Sequence, residues 1–356
     1  MHNIMMKIKI FCPFASSSMC KETYERICFV NNINFYGKDK KIYLTEDEDY
    51  THAIIMNTIM PKLKDIPKEN VIGLACEPND FLRLTPQFID YAKKYISKYF
   101  IGDKLDLPEP FVEHFGYMWY SRPPKEITNK SKLMSIIVSE KKFAPGHIYR
   151  HTLVKLIIQY KLPIDIYGRG TTNYKYNRIM GKFENVEPYE DYMFSICIEN
   201  YICNHWFSEK VITPLMYNCN PIYLGCKNIN SYVENVISIS GNANQDIQSI
   251  IKILSNPQLY YKKTYTDRNI QAVNLIQHVE GLFSGNTEVK KFSDIDDSDK
   301  VQGGNDEIYI NPPFVNLNLE VKKFSDIDDS DKVQGGKSNI LMAGILSIGA
   351  IFLFKK

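Results

Sequence analysis

The amino-acid sequence predicts an α/β protein whose parallel sheets carry helices on both faces. The first observation is an alternation, through residues 1–283, of short apolar runs with longer amphipathic segments. The second is a globular composition, with 44% hydrophobic and 24% charged residues. The third is a polar segment with two consecutive prolines at 121–132, which interrupts the alternation. We therefore expect two halves, 1–125 and 126–283.

The predicted strands are short apolar runs in β-type sequence. In chain order they are KIKIFC (7–12), HAIIM (52–56), NVIGLAC (70–76), KLMSIIVS (132–139), PIDIYG (163–168), FSICIE (194–199) and NPIYLG (220–225). Apolar residues at helical spacing predict helices over 86–99, 147–160, 187–193, 209–218, 244–255 and 257–283. Strands that alternate with helices favour parallel pairing, because each helix returns the chain to the same end of the sheet.

Charge and cysteine usage narrow the classes of partner. The chain has 356 residues and a net charge of +2, so we expect no surface for a polyanion and no nucleic-acid partner. None of the eight cysteines lies in a CxxC pair, and no histidine lies at zinc-like spacing from a cysteine pair. Reduced, buried thiols in a protein that faces the cytosol are the expectation.

The stretch FSICIENYICNHWFSEKVITPLMYNCNPIYLG, at 194–225, carries the most chemistry. Its apolar run ends in Glu199-Asn200, and after eight intervening residues a second polar pair, Glu209-Lys210, opens a predicted helix. In α/β proteins, a strand end, a polar loop and a helix N-terminus together surround bound nucleotides. The pattern therefore predicts a nucleotide site.

This stretch resembles the donor-binding signature of the family 10 glycosyltransferases, the α1,3/α1,4-fucosyltransferases, which is roughly F-E-N, a short spacer and then Y-[IV]-T-E-K. The residues in register are Glu199, Asn200, Glu209 and Lys210. Ser208 replaces the family's Thr, Ile198 its Phe, and Trp206 its Tyr. Trp206 keeps an aromatic face but lacks a phenol hydroxyl.

The resemblance implies a GT-B fold, in which two Rossmann-like domains face each other across a cleft. Residues 1–125 would form the acceptor domain and residues 126–283 the donor domain. The implied reaction moves fucose, with inversion, from GDP-fucose to a hydroxyl of a glycan acceptor. It implies no divalent metal or other cofactor, and the sequence has no D-x-D pair in the place where metal-dependent glycosyltransferases carry one.

The resemblance also implies roles for particular residues. Arg150 and Lys210 would hold the diphosphate, while Glu209 and Trp206 would contact the sugar and ribose. Glu199 and Asn200 complete the donor-binding set. Lys141, Lys142 and His147 border the same loop as Arg150 and would add weaker positive charge. The alternatives are an ordinary surface arginine at 150 and a helix N-terminal glutamate at 209 that the helix dipole favours.

The catalytic base is expected from the first half. Glu77 ends a buried-type strand, and Pro78 holds it in an extended conformation. Family members carry an acid in this setting, where it takes the proton of the acceptor hydroxyl. The alternatives are an ordinary strand-end carboxylate at 77, with Asp80 or Glu109 as the base.

The C-terminal region predicts a linker and a tail. The 17-residue unit EVKKFSDIDDSDKVQGG occurs identically at 288–304 and 320–336, inside a polar segment at 284–337 that we interpret as a solvated linker. The tail 338–356 contains ILMAGILSIGAIFLF at 340–354. As a helix this run spans about 22 Å, against roughly 30 Å of hydrocarbon. It is either a short membrane anchor, with the catalytic part facing the cytosol, or a docked terminal helix.

Other functions stay open at this stage. A related GT-B enzyme that uses another nucleotide sugar is the first alternative, because fold does not fix substrate. A catalytically inactive, tail-anchored binding protein is the second. Residues 1–12 look like a first strand and not like a signal peptide. Animal members of the family carry disulfides, so one or two bridges also stay open.

Overall fold

The computed structural model of the chain describes residues 5–30, 34–36, 41–114, 129–184, 186–264 and 275–284. Within these ranges the chain forms two six-stranded sheets in which every neighbouring pair of strands is parallel. Helices lie between the strands. The predicted class, α/β with two parallel sheets, is confirmed.

The first sheet has the strand order β2-β1-β3-β4-β5-β6. Its strands are β1 (Met6–Phe11), β2 (Ile42–Leu44), β3 (His52–Met56), β4 (Val71–Leu74), β5 (Lys98–Ile101) and β6 (Phe111–Glu113). All four residues of β4 are buried, as expected for a central strand covered on both faces.

The second sheet has the order β12-β11-β10-β7-β8-β9. Its strands are β7 (Lys132–Ile137), β8 (Ile164–Tyr167), β9 (Ile179–Gly181), β10 (Tyr192–Ile198), β11 (Asn220–Leu224) and β12 (Ile237–Ser238). β10 and β11 are buried along their whole length, which explains why their sequences are continuous apolar runs without alternation.

The helices connect these strands, and three of them begin at a residue whose side chain caps the first turn. They are α1 (Ser17–Val30), α2 (Asn79–Leu82), α3 (Pro86–Tyr95), α4 (Pro145–Gln159), α5 (Glu187–Glu190), α6 (Glu209–Met216), α7 (Ala243–Ser255), α8 (Pro257–Tyr260) and α9 (Leu275–Ser284). Thr85 caps α3, Ser208 caps α6 and Asn242 caps α7, each accepting a backbone N–H of the first turn.

Three helix predictions are wrong in their extent. The segment 86–99 is helical only to Tyr95, because the apolar run that follows pairs as β5. The segment 187–193 is helical only to Glu190, because β10 begins at Tyr192. The segment 257–283 is not one helix, since α8 ends at Tyr260 and residues 261–264 are not helical. In each case pairing or a turn overrides local helical spacing.

The last described helix, α9, lies on the first sheet. Leu275 and Val279 are buried in the same apolar cluster as Leu74 of β4, and the ring of Phe283 meets that of His52 at 4.9 Å. This helix belongs to the predicted second half, 126–283, and its contacts include β4 and His52 of the first. The chain thus returns to its N-terminal sheet after completing the second one.

The C-terminal predictions lie outside the described residues. These are the two repeats in 284–337 and the apolar run 340–354. Among the helices that the structure describes, none is both long enough and apolar enough to cross a membrane. All eight cysteines are free thiols, and six of them are buried.

Candidate functional site

The predicted donor residues lie at the point where the topology of the second sheet changes direction. From β7, the chain continues through α4 to β8 on one side, whereas β10 pairs with β7 on the other. The loops after β7 and β10 therefore diverge and leave a crevice at the carboxyl ends of these strands. Arg150 on α4 and the Glu199–Lys210 segment after β10 flank this crevice.

Arg150 is anchored to the end of β10 through α4. Its Nη2 donates to Asn200 Oδ1 at 2.6 Å, and its Nε donates to the carbonyl of Gly146 at 3.1 Å. The amide of Gly146 in turn donates to the carbonyl of Asn200 at 3.0 Å. Because α4 begins at Pro145, Arg150 lies in its second turn, not its first. The side chain is 7% exposed and forms no ion pair with any described residue.

This environment determines the charge that Arg150 presents. Burial lowers the pKa of Arg150, and the nearby Glu199 and Glu209 carboxylates oppose that effect. A guanidinium remains protonated even so, because its ordinary pKa is far above neutral. The crevice therefore holds a buried, fixed cation whose described partners are neutral oxygens.

Glu199 is a buried organising carboxylate. It is 1% exposed, and it accepts hydrogen bonds from the Ser208 amide at 2.8 Å and from the Ser208 hydroxyl at 2.7 Å. The Tyr223 hydroxyl lies at 3.4 Å, and Lys210 Nζ lies 3.4 Å from the other carboxylate oxygen. Every direction around this carboxylate is thus occupied by protein, which suits it to hold the loop between β10 and α6.

Lys210 and Glu209 open α6 side by side. Lys210 Nζ donates to Ser208 Oγ at 2.9 Å and to Glu209 Oε1 at 3.1 Å. Burial lowers the pKa of Lys210, but Glu209 and Glu199 outweigh that effect and the net pKa lies above the ordinary value. Lys210 is therefore a stable cation, and Glu209 keeps a 26% exposed side chain for contact with a ligand.

The loop between β7 and α4 adds further nitrogen groups. His147 is buried in the first turn of α4 and accepts the Ala144 amide through Nδ1 at 3.2 Å. Burial and the charges of Arg150, Lys141 and Lys210 lower the pKa of His147 to about 3. His147 is hence neutral at physiological pH and supports the loop, whereas Lys141 supplies charge. Lys142 is exposed.

Glu77 is brought to this group from the first half. It lies three residues after the end of β4 and is 6% exposed. The next residue, Pro78, is extended and directly precedes α2. Burial and the charges of Lys210 and Arg150 lower the pKa of Lys141, and Glu77 counters them. Glu77 therefore lies close enough to Lys141 for its charge to act there, and Lys141 is in turn near Lys210 and Arg150.

Trp206 lies between the two halves. It is 4% exposed, and its indole Nε1 donates to the carbonyl of Cys76, the residue before Glu77, at 3.3 Å. Its neighbours also cross: the Asn204 amide donates to Asp103 Oδ1 at 3.1 Å, and His205 Nε2 lies 3.2 Å from a Glu113 oxygen. We call residues 203–207 the crossing loop. The donor contact predicted for Trp206 stays a prediction.

The structure thus assembles the predicted residues in two groups. Arg150, Asn200, Glu209 and Lys210 surround the crevice, while Glu199 lies beneath it and Trp206 beside Glu77. Asp80 and Glu109 are the alternative candidates for the base. Asp80 is exposed on α2, and Glu109 is 84% exposed and pairs with Lys104. Sequence reasoning missed Gly146. The Pro-Gly pair that opens α4 was the available signal.

Comparison with known proteins identifies the second half of the chain. Residues 127–280 match the model described as glycosyltransferase family 10 (fucosyltransferase), C-terminal part. The match covers β7 to β12, the predicted donor motif and Arg150. The predicted resemblance and the enzyme class, a glycosyltransferase, are confirmed. A search of curated proteins found no match.

Several solved structures are similar to this chain at low identity. An α1,3-fucosyltransferase with GDP-fucose has 13% identity and a TM-score of 0.49, over 80% of this chain and 90% of that one. A mutant of S. aureus TarM in complex with fondaparinux, alpha-GlcNAc-glycerol and UDP has 11% identity and a TM-score of 0.44, over 65% and 55%. A DNA-modifying beta-glucosyltransferase has 12% identity and a TM-score of 0.37, over 82% and 95%. The family assignment depends on residues 127–280 and not on these structures.

Proposed function

We propose that this chain, whose residues 127–280 match the model of glycosyltransferase family 10 (fucosyltransferase), transfers fucose from GDP-fucose to a hydroxyl of a glycan acceptor. The family match and the donor motif support this donor. Transfer proceeds with inversion at the anomeric carbon. The acceptor is held on the side of the first sheet, from which Glu77 projects.

The diphosphate of the donor binds between Arg150 and Lys210. A diphosphate is an anion with several acceptor oxygens, and it needs fixed cations and free backbone N–H groups. Arg150 supplies a buried guanidinium whose described partners are neutral oxygens. Lys210 supplies an ammonium at the N-terminus of α6, where the helix dipole adds to its charge. Two cations and a helix end neutralise the leaving group, so we propose no divalent metal.

The donor's sugar or ribose is bound by Glu209. A carboxylate accepts two hydroxyl hydrogen bonds at once, as vicinal hydroxyls require. Its oxygen Oε1 also accepts from Lys210 at 3.1 Å, so the side chain is oriented before the ligand arrives. Glu199 cannot do this work because its side chain is 0% exposed. We assign to Glu199 the support of Ser208 and Lys210 from below.

Glu77 acts as the catalytic base. The acceptor hydroxyl oxygen attacks the anomeric carbon of fucose, and its proton passes to the Glu77 carboxylate. The bond between the anomeric carbon and the β-phosphate oxygen breaks, and GDP leaves with the electron pair. One observation carries this assignment: Glu77 is buried just beyond β4, next to Cys76, whose carbonyl accepts a hydrogen bond from Trp206 of the donor motif. Burial lowers the pKa of Lys141 in the second half, and the charge of Glu77 acts to raise it.

The proposal extends to the surroundings of the enzyme. The acceptor is a glycan or glycoconjugate, and nucleic acid is not a partner. The tail 340–354 anchors the chain to a membrane with the catalytic part facing the cytosol. The net charge of +2 and the uncharged run at 340–354 support these assignments.

Ligand titration of the full chain tests the donor. Calorimetry with GDP, GDP-fucose, UDP and UDP-glucose is expected to show binding of the guanosine ligands only. Lys210→Ala should weaken that binding at least tenfold, or about 1.4 kcal/mol. Lys252→Ala, on the exposed side of α7, removes the same charge as a control. Binding of uridine ligands instead would discard GDP-fucose and favour another nucleotide sugar.

Transfer assays then test the base. Glu77→Gln should retain GDP-fucose binding and lose transfer by about a hundredfold or more. Asp80→Asn provides the matched control, because it alters an exposed carboxylate three residues away. A chain that binds GDP-fucose but transfers to no glycan acceptor would favour the inactive binding protein.

A further inference from the structure

We propose that Trp206 is a positioning residue that fixes Glu77, through the hydrogen bond from its indole N–H to the Cys76 carbonyl. This inference rests on the proposed role of Glu77 as base. It assigns to Trp206 a function in the reaction step, distinct from contact with the donor. The crossing loop, 203–207, becomes the element that couples the donor motif to the base.

Cys76, the residue before Glu77, is held through both its backbone N–H and its carbonyl. The Cys76 amide donates to Asn57 Oδ1 at 2.8 Å, and the Cys76 carbonyl accepts from Trp206 Nε1 at 3.3 Å. Asn57 is itself fixed, because its carbonyl accepts from the buried Tyr99 hydroxyl at 2.9 Å. Glu77 directly follows this restrained residue, Cys76.

The crossing loop also holds the residues that follow Glu77. Asn79, which begins α2, donates from Nδ2 to the Asp103 carbonyl at 2.7 Å. The Asp103 carboxylate accepts the amide of Asn204 in the crossing loop at 3.1 Å. The loop therefore contacts the backbone before Glu77 directly, and it contacts the Asn79 side chain after Glu77 through Asp103.

Close packing restricts the position of the Trp206 side chain. A Cβ at Gly102, just beyond β5, would lie 2.7 Å from Trp206 Cβ and 3.0 Å from the Asn204 carbonyl oxygen. The loop thus rests directly on the backbone at the end of β5. Only 4% of Trp206 is exposed. A buried indole N–H without an acceptor is costly, so the Cys76 carbonyl also determines the orientation of the ring.

These contacts connect the two functional groups of the site. The crossing loop is followed directly by Ser208, which donates to Glu199 and caps α6 by accepting the Lys210 amide. The same short segment therefore sets the donor-binding helix and the base. A displacement of about 1 Å at a reacting group costs on the order of a hundredfold in rate.

Trp206→Phe tests the proposal because it retains a ring and removes the N–H. We expect kcat with GDP-fucose to fall about tenfold or more, while KM for GDP-fucose changes less than about threefold. The acid limb of the pH–rate profile should shift, because Glu77 would lose its fixed surroundings. Tyr91→Phe is the control, since it removes an aromatic hydroxyl that donates to the Pro61 carbonyl in the same half.

Hydrogen exchange gives a readout that needs no catalysis. In Trp206→Phe, the amides of 73–82 should exchange about tenfold faster than in the wild type, with Tyr91→Phe unchanged there. Unchanged exchange at 73–82 would overturn the proposal whatever the kinetics. A raised KM for GDP-fucose with unchanged kcat would also overturn it and assign Trp206 to the donor. If the wild type transfers no sugar, the proposed function fails, and exchange alone decides the positioning.

Discussion

Arg150 donates from Nη2 to Oδ1 of Asn200 over 2.6 Å, so a buried cation is oriented by a neutral amide oxygen. An amide fixes the guanidinium without neutralising it. A carboxylate at position 200 would bind the same guanidinium more tightly and cancel its charge. The uncharged partner is what keeps Arg150 available to an anionic ligand.

Asn200→Asp should therefore weaken binding of GDP while the fold is retained. The new carboxylate can still accept from Nη2, but it competes with the diphosphate for Arg150. We expect at least a tenfold rise in the Kd for GDP, or about 1.4 kcal/mol, measured by calorimetry. Asn177→Asp, at an exposed position, adds the same charge as a control. An unchanged Kd would show that Arg150 does not contact the diphosphate.

Glu199 and Glu209 both contact Lys210. Substitution of each by glutamine should show that Glu199 contributes mainly to stability and Glu209 mainly to ligand binding. Glu199→Gln places an NH2 group among the Ser208 and Lys210 donors in a buried site. It should destabilise the fold by about 1–3 kcal/mol in urea unfolding. Glu209→Gln, on a 26% exposed side chain, should cost little stability but weaken GDP-fucose binding. Equal losses of stability would contradict this division of roles.

Gly146→Ala should damage the link between α4 and β10. A Cβ there would lie 1.7 Å from the Glu199 carbonyl oxygen and 3.0 Å from Asn200 Cα. Because these are backbone atoms, no side-chain rotation relieves the overlap. We expect a loss of roughly 3 kcal/mol or more in unfolding free energy. Gly181→Ala is the control: it has positive φ but nothing within 4 Å, so it should cost only about 1 kcal/mol.

The buried central strands could be predicted from sequence because their apolar runs are long and uninterrupted. HAIIM and NPIYL were located to within a residue for this reason. The strands that sequence reasoning missed are two to four residues long, and the outermost of each sheet (β2, β6, β9 and β12) are among them. Their pairing depends on partners distant in the chain, which local periodicity does not contain.

The sequence predicts the site residues that belong to a motif. It does not predict the contacts that depend on packing. Glu199, Asn200, Glu209 and Lys210 follow from spacing. The burial of Glu199 depends on packing within the second half, against Ser208 and Tyr223. The contact between Trp206 and Cys76 depends on how the two halves meet, across 130 residues of sequence. No pattern within one segment reports such a contact.

His147 should make stability depend on pH in the acid range. Its folded pKa is about 3, below the ordinary value of 6.5, so the unfolded chain binds more protons between these values. The stability that neutral His147 contributes is present above pH 6.5 and is lost as pH falls toward 3. Between pH 7.5 and 5.5, the wild type should lose about 1 kcal/mol more than His147→Asn. Asparagine retains an acceptor for the Ala144 amide.

Urea unfolding of both proteins at the two pH values measures this difference. Other groups titrate equally in the wild type and in His147→Asn, so the comparison isolates one side chain. Parallel losses in both proteins would mean that His147 becomes protonated in the folded state at ordinary pH. In that case the loop would carry another cation beside Arg150.

Lys130 holds two helix ends from inside the second half. It is 1% exposed, and its ammonium donates to the carbonyls of Tyr189 at 3.1 Å, Glu190 at 2.8 Å and Tyr217 at 2.5 Å. These carbonyls lie at the C-terminal ends of α5 and α6, where a cation also meets the negative end of the helix dipole. Three donors matched by three acceptors explain why a lysine is buried here, although burial lowers its pKa to about 8.

Lys130→Met should remove these bonds while the apolar stem is largely retained. Three carbonyls would lose their donor in a buried site, so we expect a loss of about 2–4 kcal/mol in the free energy of unfolding. α6 carries Glu209 and Lys210 at its other end. If α6 keeps its N-terminal cap, the free energy of GDP binding should change less than the free energy of unfolding. Lys132→Met, whose side chain is 41% exposed beside Asp191, is the matched control and should cost under about 1 kcal/mol. Equal effects of the two substitutions in urea unfolding would show that Lys130 contributes no more than a surface charge.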